Sequence, residues 1–160
     1  MVTTCATHIK TLTDLLQRFG MTLDIRPENV EIEGSFWGDS EAGLLGNKLV
    51  IRSDTPVHSA LHEACHYICM DNKRRTGLHT DAGGDYDEEN GVCCLQIILA
   101  DYLHNYTREQ MMADMDAWGY TFRLGSAQSW FTQDADDAFQ WLTDHQIINQ
   151  KQQPTWCLRD

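Results

Sequence analysis

The sequence His62-Glu63-Ala64-Cys65-His66 brings two imidazoles and a carboxylate together within five residues. On a helix, residues four apart lie on the same face, so His62 and His66 can bind one cation through their ring nitrogens. Glu63 can hold and deprotonate a water molecule beside that cation. The H-E-x-x-H spacing therefore predicts a Zn²⁺ site for metal-assisted hydrolysis, with Glu63 as the general base.

The residues around this motif predict a helix that can pack and still bind a metal. Thr55 can serve as the N-cap and Pro56 as the first helical residue. An apolar stripe at helical spacing follows, formed by Val57, Leu61, Ala64 and Ile68. His62 and His66 lie beside this stripe, so we expect one face of the helix to be buried and its edge to carry the histidines.

Catalytic zinc needs a third protein ligand, and a second strong helix pattern supplies a candidate. From Glu88 to about His104, one face is apolar except at its first position, which is Glu88. A carboxylate on a core-facing stripe needs a partner, and a metal ion would provide one. The predicted metal ligands are therefore His62, His66 and Glu88.

Three other carboxylates remain alternatives for the third position. Glu89 shares a more polar helix face with Cys93 and Gln96, where we expect exposure to solvent or contact with a metal ligand rather than with the metal. Asp85 and Asp81 belong to the polar segment that precedes the helix, where loop geometry is free. The same acidic segment is the expected source of acceptors for the histidine N–H groups.

This arrangement resembles the gluzincin-type metallopeptidases, especially their small ImmA/IrrE-like branch, over about Leu49 to Leu103. A strand leads into the H-E-x-x-H helix, and a second helix opens with Glu88-Glu89-Asn90 before an apolar run. In that branch a Glu ligand is followed closely by Ala-Asn. Glu88 would take the ligand position, and the 21 residues between His66 and Glu88 are similar to gluzincin spacing. The resemblance implies a zincin-like fold and cleavage of peptide bonds by a metal-activated water.

Composition restricts the partners. The 160 residues include 24 acidic and 12 basic side chains, a formal charge of −12 that repels phosphate backbones and anionic membranes. We expect a peptide or protein substrate, and we expect neither nucleic acid nor a membrane as a partner.

No apolar run approaches the roughly 20 residues of a membrane span, and the first 20 residues do not resemble a signal peptide, which predicts a cytoplasmic location. The six cysteines are then expected to be reduced and mostly buried.

The predicted fold is a single α+β domain over residues 1–160. We expect a small mixed or antiparallel sheet packed on the H-E-x-x-H helix and on a second ligand-bearing helix, with additional C-terminal helices. A strand beside the site could pair with an extended peptide. The predicted helices cover Ala6 to Phe19, a segment capped by Thr107 to Gln110, and Asp134 to Gln146; the predicted strands are Leu23 to Ile25, Val30 to Phe36 and Leu49 to Arg52.

Two further questions stay open in the sequence. Tyr86, His79 and Arg123 can each donate to an oxyanion, and nothing ranks them. The aromatic-rich segment 111–125 is typical of core, and it can also form the wall of a pocket.

The alternatives to an enzyme are a non-catalytic metal-binding scaffold and a regulatory interaction domain with a zincin-like fold; an intact Glu63 favours the enzyme.

Overall fold

The computed structural model describes residues 1–33, 40–77 and 83–160. Within these ranges the fold is mixed α+β, which confirms the predicted class. The strands are β1 (Thr22–Arg26), β2 (Gly43–Leu45) and β3 (Lys48–Arg52). The helices are α1 (Ile9–Gln17), α2 (Val57–Cys69), α3 (Asn72–Thr76), α4 (Tyr86–Ala100), α5 (Arg108–Trp118), α6 (Ala127–Gln133) and α7 (Asp136–Asp144).

The three strands form a small mixed sheet in the order β1-β3-β2. β1 runs parallel to β3, and β2 runs antiparallel to it. The turn between β2 and β3 uses Gly46, whose φ of 60° favours glycine. β3 leads to the metal-motif helix, as expected, but it is hydrogen-bonded on both sides, so a substrate strand cannot pair with it.

One strand prediction is wrong in part. Residues 30–33 of the predicted strand Val30 to Phe36 are not in a strand, and 34–36 lie outside the described residues. β2 forms instead just after a stretch rich in turn residues, where its short sequence gives little local signal. Its structure comes from non-local pairing of Gly43, Leu44 and Leu45 with β3.

The core lies between α2 and α4, which pack against each other. α2 is buried along almost its whole length, and so is α4 from Gly91 to Ala100. Full burial of one leucine or isoleucine side chain contributes about 1.5–3 kcal/mol. The largest buried side chains on these helices are Leu61, Ile68, Leu95, Ile97 and Ile98. This packing fixes the relative position of the two elements that carry the predicted ligands.

Two of the C-terminal helices, α5 and α7, pack against α4. Thr107 caps α5 by accepting a hydrogen bond from the Gln110 backbone N–H at 3.1 Å, as its sequence predicts. Gly119 ends α5 with a φ of 105°. Gly91 lets α7 approach α4, because a Cβ at this position would lie 2.6 Å from the ring of Trp141. α7 confirms the predicted terminal helix, whereas α6 had no predicted counterpart.

Five of the six cysteines are buried with free thiols, as expected, and Cys157 is exposed. In the described parts of the chain, no helix is long and apolar enough to cross a membrane.

Candidate metal centre

Two histidines and a glutamate converge where α2 faces the start of α4. The Nε2 atoms of His62 and His66 are 3.1 Å apart. Glu89 lies across from both, with Oε1 at 3.2 Å from His62 Nε2 and Oε2 at 3.3 Å from His66 Nε2. The H-E-x-x-H pair thus shares one helix face, as its spacing predicts, and this three-residue group could hold a metal ion.

The structure corrects the placement of Glu88. Its side chain points away from the histidines and is only 3% exposed. Glu88 Oε2 accepts a hydrogen bond from Arg74 Nη1 at 3.1 Å, and Oε1 accepts one from Arg159 Nη1 at 2.9 Å. The premise that a carboxylate on the core face needs a partner is met, but the partners are two guanidinium groups. The carboxylate at the histidines is Glu89, one residue further along.

Asp85, the second alternative, is not at the site. Asp85 is the N-cap of α4, and its Oδ1 accepts a hydrogen bond from the Glu88 backbone N–H at 2.9 Å. A capping carboxylate satisfies an otherwise unpaired N–H at the start of the helix. Asp81 lies outside the described residues.

Gln96 sets the orientation and tautomer of His62. Its Nε2 donates to the backbone carbonyl of His58 at 2.9 Å, so its Oε1 faces Nδ1 of His62, also at 2.9 Å. Nδ1 must therefore donate to Gln96, which leaves Nε2 facing His66 and Glu89. A partner of this kind is typical of metal-binding histidines. The sequence placed Gln96 on the polar face of α4, but it predicted that the acceptor for the histidine N–H would come from the acidic segment before α4.

The donor atoms fit a zinc ion by number, type and spacing. Two ligands bonded to zinc at about 2.0–2.1 Å with near-tetrahedral angles lie about 3.3–3.4 Å apart. Here the two histidine nitrogens are 3.1 Å apart, Glu89 Oε1 lies 3.2 Å from Nε2 of His62, and Glu89 Oε2 lies 3.3 Å from Nε2 of His66, so each nitrogen faces a different oxygen of one carboxylate. Nitrogen and carboxylate ligands suit Zn²⁺ among several divalent metals. The residues therefore fit such an ion with little adjustment.

The protonation equilibria also favour a positive charge between these ligands. Burial lowers the pKa of His62, but the contacts around its ring, the hydrogen bond to Glu89 among them, raise it by more, and the result lies well above the ordinary value. Burial raises the pKa of Glu89, but its hydrogen bond to His62 and the charges of His66 and His62 bring it below the ordinary value. A divalent cation supplies the same charge by displacing the proton.

A cleft of about 380 Å³ opens beside these ligands. Glu63 lines it together with His62 and Glu89, so the predicted base and two of the ligand residues border one space. Glu41 also lines the cleft, and it accepts hydrogen bonds from Ser59 Oγ and Trp118 Nε1, both at 2.6 Å. The cleft gives a substrate access to the cluster.

Tyr120 also lines the cleft, although in the sequence it stands out only as part of the segment 111–125. Its hydroxyl oxygen lies 3.2 Å from Nδ1 of His58, and its ring packs edge-on against that of His62. Burial raises the pKa of Tyr120 to about 12, although His62 and Gln96 lower it in part. The phenol is therefore neutral at physiological pH and can donate a hydrogen bond.

The segment 111–125 thus has both of its expected roles. Met111, Met112 and Met115 are buried in the core, whereas Trp118, Gly119 and Tyr120 line the cleft. Of the three predicted donors to an oxyanion, neither Tyr86 nor Arg123 lines this cleft; both line neighbouring cavities. His79 lies outside the described residues.

In comparisons with known proteins, this chain matches no family model, no curated protein and no solved structure. The case for its function therefore rests on the ligand cluster, on Glu63 and on the cleft that they share.

Proposed function

We propose that this protein is a zinc-dependent metallopeptidase with a zincin-like arrangement of α2 and α4. His62, His66 and Glu89 would bind Zn²⁺, and Glu63 would act as the general base. The observation that carries the proposal is the convergence of the two histidine nitrogens, 3.1 Å apart, on the Glu89 carboxylate at 3.2 and 3.3 Å, beside the cleft that Glu63 lines.

The resemblance to the ImmA/IrrE-like branch supports this proposal with one adjustment. With Glu89 as the third ligand, Asn90 follows the ligand directly, whereas that branch has Ala before Asn. The strand-to-helix order of β3 and α2 and the antiparallel neighbour β2 agree with the expected layout. The substrate class remains a peptide or protein.

Glu63 and Tyr120 of the cleft, and Gln96 beside His62, have roles in such a reaction. Zn²⁺ at the three ligands would act as a Lewis acid and lower the pKa of water to about 7. Glu63 would accept the proton of the attacking water and deliver it to the leaving amine. The neutral hydroxyl of Tyr120 would donate to the carbonyl oxygen as negative charge develops there. Gln96 would keep His62 in the tautomer that presents Nε2.

The decisive experiment combines zinc content with cleavage of a peptide library. We expect wild type to bind one zinc and to cleave peptides, and Glu63→Gln to keep the zinc and lose cleavage. Glu109→Gln, an exposed change in the first turn of α5, is the matched control and should behave as wild type. Equal turnover by Glu63→Gln would exclude this base.

Two other results would change the assignment. If supplied zinc does not bind stoichiometrically to wild type, the proposal fails. If zinc binds but no peptide in the library is cleaved, the metal instead ties α2 to α4 as a structural site, which is the scaffold alternative.

A further inference from the structure

The metal cleft continues along the first turns of α4. It shares Glu89 and Tyr120 with a cavity of about 300 Å³, which lies between α4 and the segment Tyr120 to Arg123. That cavity in turn shares Tyr86, Asn90, Arg123 and Trp130 with a third one of about 310 Å³. Through these shared walls the three spaces lie next to one another in a row that starts at the metal ligands, and this row is called here the groove.

The third space, called here the acidic cavity, has carboxylates on three sides. They are Asp87 on α4, Asp134 at the end of α6, and Asp137 and Asp144 on α7. Among the described residues of its lining, Arg123 is the one basic side chain, and its Nε lies 2.9 Å from Oδ2 of Asp134. The remaining carboxylates leave the cavity negatively charged, which attracts a cation.

Aromatic walls distinguish this cavity from an ordinary acidic surface. Trp130 and Trp141 both line it, and Trp130 is only 5% exposed. Within the ranges that the structure describes, the indole N–H of Trp130 donates no hydrogen bond, so this donor is available to a carbonyl of a bound peptide. Aromatic side chains beside carboxylates favour ammonium and guanidinium groups, and the ring of Trp141 already has the guanidinium of Arg159 over it at 5.2 Å.

We propose that the acidic cavity binds the side chain of a lysine or arginine in a peptide that lies along the groove. The inference rests on the proposed function and specifies its substrate class, which is peptides with a basic residue close to the bond that is cleaved. The cavity has a volume of about 310 Å³, and its charge and aromatic walls match the two parts of such a side chain, the cation and the methylenes.

Binding can be tested without turnover. The probes are Nα-acetyl-lysine amide, Nα-acetyl-arginine amide and the neutral Nα-acetyl-norleucine amide, added to the zinc-loaded Glu63→Gln protein. The readout is the indole ¹⁵N–¹H resonances of Trp130 and Trp141. We expect both signals to shift with the basic probes, which should bind about tenfold more tightly than the norleucine probe.

Asp137→Asn and Asp136→Asn form a matched pair for this test. Both residues are exposed and begin α7, but only Asp137 lines the cavity. We expect Asp137→Asn to weaken binding of the lysine probe about threefold, and Asp136→Asn to leave it unchanged. Equal effects of the two variants, or equal affinity for norleucine, would refute the site.

Peptide cleavage separates this inference from the proposed function. If wild type cleaves lysine-containing and norleucine-containing peptides with the same kcat/KM, the acidic cavity is not a specificity site and the peptidase assignment stands. If the lysine probe binds with the expected aspartate dependence but no peptide is cleaved, the cation site stands and the peptidase assignment fails.

Discussion

Nδ1 of His62 lies 2.9 Å from Oε1 of Gln96, although the two residues are 34 positions apart on different helices. The amide of Gln96 is fully buried and is fixed on its other side by the backbone carbonyl of His58. This one contact couples the packing of α2 against α4 to the direction in which a metal-binding nitrogen points.

Replacing Gln96 should therefore weaken metal binding without touching a ligand. Gln96→Leu leaves Nδ1 of His62 without its acceptor, and we expect the zinc affinity to fall about 10–100-fold. The measurement is competition with a chromophoric chelator at fixed pH. Gln96→Glu keeps an acceptor for Nδ1 and should retain more affinity than Gln96→Leu; the opposite order would show that Gln96 does not orient the ligand.

Glu88 and Glu89 should have separable effects, because they face different cations. Glu89→Gln removes a metal ligand from a half-exposed side chain, so zinc should be lost while the stability of the metal-free protein changes little. Glu88→Gln leaves two partly exposed arginines with a neutral partner, and we expect the free energy of unfolding to fall by about 2–4 kcal/mol.

Zinc content and urea unfolding of the two variants, both measured on folded protein at neutral pH, check this prediction. Retention of stoichiometric zinc by Glu89→Gln, with its loss from Glu88→Gln, would restore Glu88 as the ligand.

The choice between these two glutamates marks the limit of prediction from sequence. Local spacing is enough to place His62 and His66 on one face of α2, and the periodicity of α4 correctly put Glu88 on its buried side. What satisfies Glu88 is decided by Arg159, 71 residues away, whose backbone N–H also binds the carbonyl of Ile68. No local pattern shows that the C-terminus returns to this point.

The same reasoning explains the other differences. The sequence does contain a signal for the role of Gln96, because Gln96 lies on the same face of α4 as Glu89, two turns further on. The sequence contains little signal for Tyr120, because this residue reaches the cleft only through the change of direction at Gly119 and the packing of α5. Short β2 depends on pairing with β3, whereas Thr107 and Gln110 predict the start of α5 through contacts within one helical turn.

The buried ring of His58 predicts acid sensitivity of the fold. Burial lowers the pKa of His58 to about 4, against about 6.5 in the unfolded chain, while Asp114 raises it and His62 lowers it further. The folded state favours the neutral ring, so this contribution is fully present above pH 6.5 and is lost as the pH falls toward 4. Its loss at pH 4 amounts to about 3 kcal/mol.

The check is urea unfolding between pH 7 and pH 4 in the presence of a chelator, so that metal binding does not contribute. His58→Gln cannot titrate, and its stability should depend less steeply on pH over this interval than that of wild type. Parallel profiles for the two proteins would show that His58 is not the group responsible.

Tyr120→Phe should separate transition-state stabilisation from substrate binding. The change removes only the hydroxyl that lies 3.2 Å from His58 and lines the cleft, so zinc content should be unchanged. If that hydroxyl donates to the developing oxyanion, kcat falls about 100-fold while KM changes little. Tyr86→Phe tests the alternative that the sequence predicted, since Tyr86 is 71% exposed and lines the neighbouring cavities rather than the metal cleft. A larger loss of kcat in Tyr86→Phe would instead assign this role to the tyrosine on α4.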